Sequence, residues 1–273
     1  VLATLNNAMI LEQMKTRDDI IWVGPIQGGK YLDLVKECTV KMSQFPSIKM
    51  YGVGGPTQYM KSYAFEDLVD IIMTIKMSLP KDGPLHLFGA GHPILLPFLV
   101  ALGCDTFDSA SYALYAYDNR VITPLGTFRL NRLNNVILET PKKIYYLDEL
   151  YEMDKRERVE IIAKHNLYTL IKEIEIIKDA IKNQYLWDIV FIKAHSHYEV
   201  YKATKFVLEK YYEWLKHLDP VRKKVGIRYY GDLLELRPDI KRAIEKLRGR
   251  VDERDVEDLY EYVYPFKDLK NIK

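Results

Sequence analysis

The chain has 273 residues, 48% hydrophobic and 29% charged, and its formal net charge is only +2. That is enough apolar material for one large or two modest domains, and overall charge alone points to no nucleic-acid partner. No apolar run approaches a membrane span, no signal peptide is visible, and two cysteines, Cys38 and Cys104, are too few for a disulfide framework or a cysteine metal cluster.

Both cysteines lie in apolar surroundings, so buried free thiols in a reducing cytosol are expected. In chain order, the first strand is expected in "IIWVGPIQGG" (20–29), followed by an amphipathic stretch over 30–45. "IKMYGVGG" (48–55) repeats the pattern, with a helix expected from Tyr59 to Met77. "PLHLFGAG" (84–91) and "DTFDSA" (105–110) are the third and fourth apolar runs, separated by a helix-like "ILLPFLVALG". Runs of about five to seven residues joined by crossover-length segments predict βαβ units on a parallel sheet. Four such units are half of an eight-stranded barrel or the whole of a small doubly wound sheet, and in both the strand ends carry the site.

From Asp148 the pattern becomes helical, with Val159, Ile162, Leu167, Leu170, Ile174, Ile177 and Ile181 at helical spacing. A second helix is expected around 199–218, then a short strand, a turn and a helix stopped before Gly249. The Lys- and Arg-rich stretches at 219–224 and 241–250 are either a solvated helical face or a phosphate-tracking surface.

The four strand ends collect Gln27-Gly28-Gly29, Gly54-Gly55, Gly89-Ala90-Gly91-His92 and Asp108-Ser109. Glycine admits close approach of a ligand or backbone, and Gln27 offers both a donor and an acceptor to a heterocyclic edge. A Gly-Gly pair after a strand is equally a tight turn, and neither phosphate-loop spacing nor G-x-G-x-x-G is present. His92 reads as a pocket residue or a simple helix-start residue. His165 reads as a satisfied core histidine. His195 and His197, expected on one helix, would face apart and do not predict a zinc site.

Taken together, "VGPIQGGKYLDL", "PLHLFGAGHP", "ALGCDTFDSASYALYAYDNR", "AKHNLY" and "DPVRKK" resemble archaeal tRNA-guanine transglycosylases, the archaeosine-pathway family, over roughly 1–247. The resemblance implies a (β/α)8 TIM-type barrel that exchanges guanine in the tRNA D-loop, at position 15, for 7-cyano-7-deazaguanine. By the match to "FDSA", Asp108 is the nucleophile that attacks ribose C1′ and holds the tRNA covalently. Gln27, Gly28, Gly54, Gly55, Gly89, His92 and Ser109 then line the base pocket, and Arg120, Arg222, Lys223 and Lys224 contact RNA. A carboxylate suits an oxocarbenium-like centre, and the target nucleotide must leave its stack.

The expected architecture is α/β. Residues 1–147 form the C-terminal half of a TIM-type barrel, 148–218 a helical continuation, and 219–273 a small α+β segment. The family's early strands, with a second essential aspartate in a "DSG"-like motif, are not in this chain, which begins at Val1. Either it is part of a longer protein or another polypeptide supplies the remainder. The family also binds a structural zinc through C-x-C-x-x-C and a histidine. His165 matches that histidine, but Leu138, Thr140 and Lys143 stand near the cysteine positions, so no zinc or other cofactor is expected. The implied partners are tRNA, a guanine or 7-deazaguanine base, and a homodimer mate or second transglycosylase-like subunit, with no membrane and a cytoplasmic location. A non-catalytic tRNA-binding subunit is the competing reading.

Overall fold

The computed structural model describes residues 1–80, 83–218, 226 and 231–248. Helix α1 (Leu2–Met14) leads to β1 (Trp22–Ile26), and α2 (Leu32–Met42) carries the chain to β2 (Ile48–Val53). The next crossover is two helices, α3 (Pro56–Lys61) and α4 (Phe65–Ser78), before β3 (Leu85–Leu87). Helix α5 (Leu96–Ala101) then precedes β4 (Thr106–Phe107). The four strands pair in parallel in the order β1-β2-β3-β4, as the alternation of apolar runs and crossovers predicts.

Two local features depart from expectation. The single helix predicted over 59–77 is broken at Tyr63, whose φ of 59° is incompatible with a continuing right-handed helix. Strands β3 and β4 are only three and two residues long, because the apolar runs bend away early into the loops at Gly89 and Asp108. Pro25 is tolerated within β1 because, among the described residues, that strand is at the sheet edge, where a missing donor costs little.

The sheet is unequally covered. Ile26, Tyr51, Val53, Leu85 and Leu87 are buried in one core with residues of α2, α4, α5 and the later helices. The alternate residues form the other face, where Val23 is 37% and Phe88 40% exposed. Parallel sheets are ordinarily covered on both faces.

After β4 the chain changes character. Helix α6 (Ser111–Tyr117) is followed by two antiparallel hairpins, β5 (Arg120–Thr123) with β6 (Gly126–Arg129) and β7 (Ile137–Glu139) with β8 (Ile144–Tyr146). Strands this short carry too few alternations to be read from periodicity. Helix α7 (Leu147–Glu152) then leads into α8 (Lys155–Asn183), the long helix expected there. Its start is set by Asp154, which accepts hydrogen bonds from the Arg156 and Glu157 amides at 2.7 and 2.9 Å.

The buried stripe of α8 differs from its apolar spacing. Ile162, Leu170 and Ile177 face inward, but Leu167 and Ile181 are exposed, while His165, Asn166 and Glu173 are buried. His165, Asn166 and Glu173 each make a polar contact, although Glu173 Oε1 is buried without one. Asn166 accepts from the Ile122 amide (2.7 Å) and donates to the Tyr112 and Arg120 carbonyls, and Lys193 pairs with Glu173 at 2.7 Å.

Helices α9 (Leu186–Ala194), α10 (Tyr198–Lys210), α11 (Tyr212–Leu218) and α12 (Pro238–Arg248) complete the described chain. His195 and His197 do not share a helix: they flank the turn between α9 and α10, because α9 ends at Ala194. The expected helix before Gly249 is α12. It is anchored by Arg237, whose guanidinium makes two bonds of 2.7 and 2.8 Å to the buried Asp188. The predicted RNA-binding residues Arg222, Lys223 and Lys224, and most of the predicted segment 219–273, lie outside the described residues. No described helix is long and apolar enough to cross a membrane.

Candidate active site

The C-terminal ends of the parallel strands bring most of the predicted site residues to one edge. Gln27 follows β1, Gly54 and Gly55 follow β2, Gly89 follows β3, and Asp108 and Ser109 follow β4. At Gly54 a methyl group would fall 2.5 Å from Gln27 Oε1 and 2.5 Å from the Ile26 carbonyl. Only glycine therefore lets the Gln27 amide lie against this turn.

Asp108 is held on one side. Its Oδ1 accepts a 2.7 Å hydrogen bond from the Gly89 amide and lies 3.3 Å from His86 Nε2. Gly89 presents that amide with a φ of 70°, a left-handed conformation glycine adopts at little cost. The rest of the Asp108 side chain faces outward, and it is 62% exposed. One oxygen is thus fixed and the other is free at the mouth of the strand ends. Ser109 and Ser111 tie this loop to the neighbouring one. The Ser109 hydroxyl donates to Ser111 Oγ (2.9 Å), which donates to the Gly91 carbonyl (2.7 Å).

His86 is a residue that sequence reasoning missed. It alternates with Leu85 and Leu87, so its side chain emerges on the open face of the sheet. Its Nδ1 lies 2.9 Å from Thr106 Oγ1, and its ring meets Phe88 edge-on with centroids 4.5 Å apart. A polar residue at the middle of an apolar "LHL" triplet was the available signal.

His92 is held by the β5–β6 hairpin. Its Nε2 is 2.8 Å from Thr127 Oγ1 in the β5–β6 hairpin. Burial, reinforced by His197 and Lys193, pushes its imidazole down to about 4, so the ring is neutral near pH 7. His92 also starts the turn into α5, since its Nδ1 accepts from the Ile94 amide at 3.4 Å and its carbonyl accepts from the Leu95 and Leu96 amides. Lys193 donates to the Pro124 carbonyl at 2.8 Å, so the tip of the same hairpin is fastened twice. Arg120 stands at the start of β5, with its guanidinium 5.9 Å from the Tyr115 ring centroid. A cavity of about 420 Å³ lies on the other face of β4, but its walls, including Phe107, Ile177 and Trp187, are mainly apolar.

The positions that would hold zinc do not suit a metal. Leu138 is fully buried in the core of the β7–β8 lobe, and Thr140 Oγ1 donates to the Lys143 carbonyl at 2.8 Å across the hairpin turn. Lys143 pairs with Glu149. His165 has both ring nitrogens engaged: Nδ1 accepts from the Glu139 amide at 3.0 Å, and Nε2 donates to the Ile122 carbonyl at 3.1 Å. Among the described residues, no three His, Cys, Asp or Glu side chains are grouped to bind a cation.

Known proteins align with this chain over the same elements. The family model described as queuine tRNA-ribosyltransferase matches residues 3–199, which hold the four strand ends, Asp108 and the hairpins. The tRNA-guanine(15) transglycosylase of Nanoarchaeum equitans is 47% identical over 244 residues, covering 89% of this chain and 57% of that protein. Its namesakes in Saccharolobus solfataricus and Pyrococcus furiosus are 40% and 42% identical, covering 91% and 78% of this chain and 50% and 37% of their own lengths. The chain thus spans about half the length of the curated relatives it matches. A parallel sheet that gathers Gln27, the paired glycines and a half-held carboxylate at its C-terminal edge accords with that match, and the chain belongs to the queuine tRNA-ribosyltransferase family.

Proposed function

We propose that this chain carries the nucleophile half of a tRNA-guanine(15) transglycosylase acting through Asp108. The observation that carries the reading is the asymmetric hold on that carboxylate. Oδ1 is fixed by the Gly89 amide, which leaves Oδ2 free to attack a sugar carbon at the strand ends. In the first step the Oδ2–C1′ bond forms as the C1′–N9 bond to guanine breaks, and the departing base takes up a proton. In the second step the incoming 7-deazaguanine, having given up a proton from its ring nitrogen, bonds to C1′ and frees the carboxylate. Two displacements through one carboxylate return the original stereochemistry at the sugar. In this reading Gln27, with Gly54 against its side chain, reads the base edge together with the Gly54 and Gly55 backbone.

The open face of the sheet supports a complementary chain. Among the described residues, strands β1 and β4 each pair on one side only, and Val23 and Phe88 are exposed on the uncovered face. Further strands of a TIM-type barrel, from another polypeptide or from a longer form of this one, would cover that face and close both edges. The alternative of a non-catalytic tRNA-binding subunit is favoured by one observation, the replacement of the metal-site cysteines by Leu138, Thr140 and Lys143.

Asp108→Asn separates the readings. It should abolish a covalent tRNA adduct, trapped by denaturing electrophoresis, while tRNA binding stays intact. An adduct that survived in the variant would remove Asp108 from the role. Labelled guanine exchange by the chain alone, and with a polypeptide supplying further barrel strands added, tests whether a companion is required.

A further inference from the structure

A second basic site lies away from the strand ends. The β5–β6 register places Arg120 directly opposite Arg129, and partners across an antiparallel ladder project from the same face. Like charges so placed repel unless something of opposite sign is shared. Arg129 and Arg158 then line a pocket of about 230 Å³ with Asn119, Asn131, Tyr151 and the exposed carboxylate of Asp118.

This pocket is built rather than incidental. Asn119 is locked at a φ of 51°, its amide donating to the Ala116 carbonyl (2.9 Å) and its carbonyl accepting from the Leu130 amide (2.8 Å). Its Oδ1 accepts from Arg158 Nε at 3.3 Å, which aims the guanidinium fork and leaves the Nη groups available. None of Arg120, Arg129 and Arg158 has an ion-pair partner among the described residues, and the Arg120 Nε is buried without a hydrogen bond. Asp118 in the pocket and Asp154, which Arg158 helps to keep ionised, set two carboxylates against three guanidiniums, and the excess is positive, in the planar-fork geometry that suits a phosphate.

We propose that Arg129 and Arg158, flanked by Arg120 and presented by Asn119, form a phosphodiester subsite for the tRNA backbone. The proposal rests on the tRNA reading above. Helix α6, which starts three residues after Asp108, separates the two sites by about 10 Å of helix, so one polynucleotide can reach both. The shared chemistry is a phosphate oxyanion, and inorganic pyrophosphate serves as the small probe beside tRNA.

Binding of unmodified tRNA is measured across a salt series for the full chain and its variants, with folding checked by circular dichroism. Arg129→Gln, a change at an exposed position, should weaken binding about ten-fold and reduce the salt slope by about one. Arg158→Gln should act alike, whereas Arg158→Lys keeps the charge and should keep the slope. Pyrophosphate should shift the Asn119 and Asn131 amide resonances in the wild type and not in the double glutamine variant. Wild-type affinity and slope in a folded Arg129→Gln protein would overturn the subsite while leaving the transglycosylase reading standing. Pyrophosphate shifts in a protein that binds no tRNA would overturn the RNA source and the tRNA reading together.

Discussion

The most direct test of how this chain stands without thiolate ligands is His165→Ala. The histidine is 8% exposed and bridges β7 and β5 from α8, accepting from the Glu139 amide and donating to the Ile122 carbonyl. Burial holds its imidazole below the ordinary value, consistent with a neutral ring that accepts at one nitrogen and donates at the other. Alanine removes both bonds. The Ile122 carbonyl is buried and keeps no replacement for that bond, at roughly 1–3 kcal/mol, whereas the part-exposed Glu139 amide can be rehydrated at lower cost. Adding the space left by the ring, the loss should be about 2–4 kcal/mol, or a Tm drop of roughly 5–15 °C. Thermal and urea denaturation of the purified chain measure it, and a chelator should leave the wild-type Tm unchanged. A loss below about 1 kcal/mol, or a Tm that falls on chelation and returns with zinc, would refute the claim that protein groups alone hold this lobe.

Two further outcomes follow from the site itself. His92 has its folded pKa depressed from 6.5 to about 4, so the fold favours the neutral ring. That preference is fully expressed above about pH 6.5 and is lost as pH falls toward 4, at an upper bound of roughly 3 kcal/mol. Denaturation midpoints of His92→Gln should therefore fall less steeply over that window than those of the wild type, and identical slopes would dismiss the assignment. His86→Phe keeps an aromatic ring against Phe88 but removes the nitrogen 3.3 Å from Asp108. If His86 is a positioning residue for the carboxylate, kcat of the assembled enzyme should drop about ten-fold or more with KM little changed. A raised KM at constant kcat would instead make it a binding-pocket residue.

How much of this was legible beforehand follows the physics of each element. The four parallel strands were readable because each apolar run ends in glycine or acid and is followed by a crossover of helical length. The strand-end residues came with them, since a parallel sheet puts its C-terminal ends at one edge. The hairpins at 120–146 were not readable: strands of three or four residues give no periodicity, and what holds β5 is a pair of polar side chains on a distant helix, His165 and Asn166. A different long-range partner, Lys193, explains why α8 buries Glu173. The contact of His92 with Thr127 was hidden for a related reason, because the two lie 35 residues apart. His86 was missed although period-two alternation already turned it toward the open face.

The two acids around Phe107 show how the site is assembled from so little strand. Two residues of β4 cannot fix a side chain unaided, so neighbouring segments must do it. Asp105 performs the structural part: its carboxylate accepts from the Leu85 amide at 2.7 Å, and its own amide donates to the Leu85 carbonyl at 2.8 Å. Lys76, 3.8 Å from Asp105, adds a favourable charge on the same side. With the start of β4 locked to β3, the register pairs His86–Thr106 and Leu87–Phe107 carry Asp108 to Gly89, whose amide donates to one of its oxygens. Phe107, on the opposite side, lines the apolar cavity and keeps the strand from rotating. The alternation acid, hydroxyl, aromatic, acid therefore divides labour along four residues, with Asp105 spent on the sheet and Asp108 left with a free oxygen. Exchanging the two roles is not possible in this register, because only the later acid reaches the strand-end edge where Gln27 and Gly54 lie.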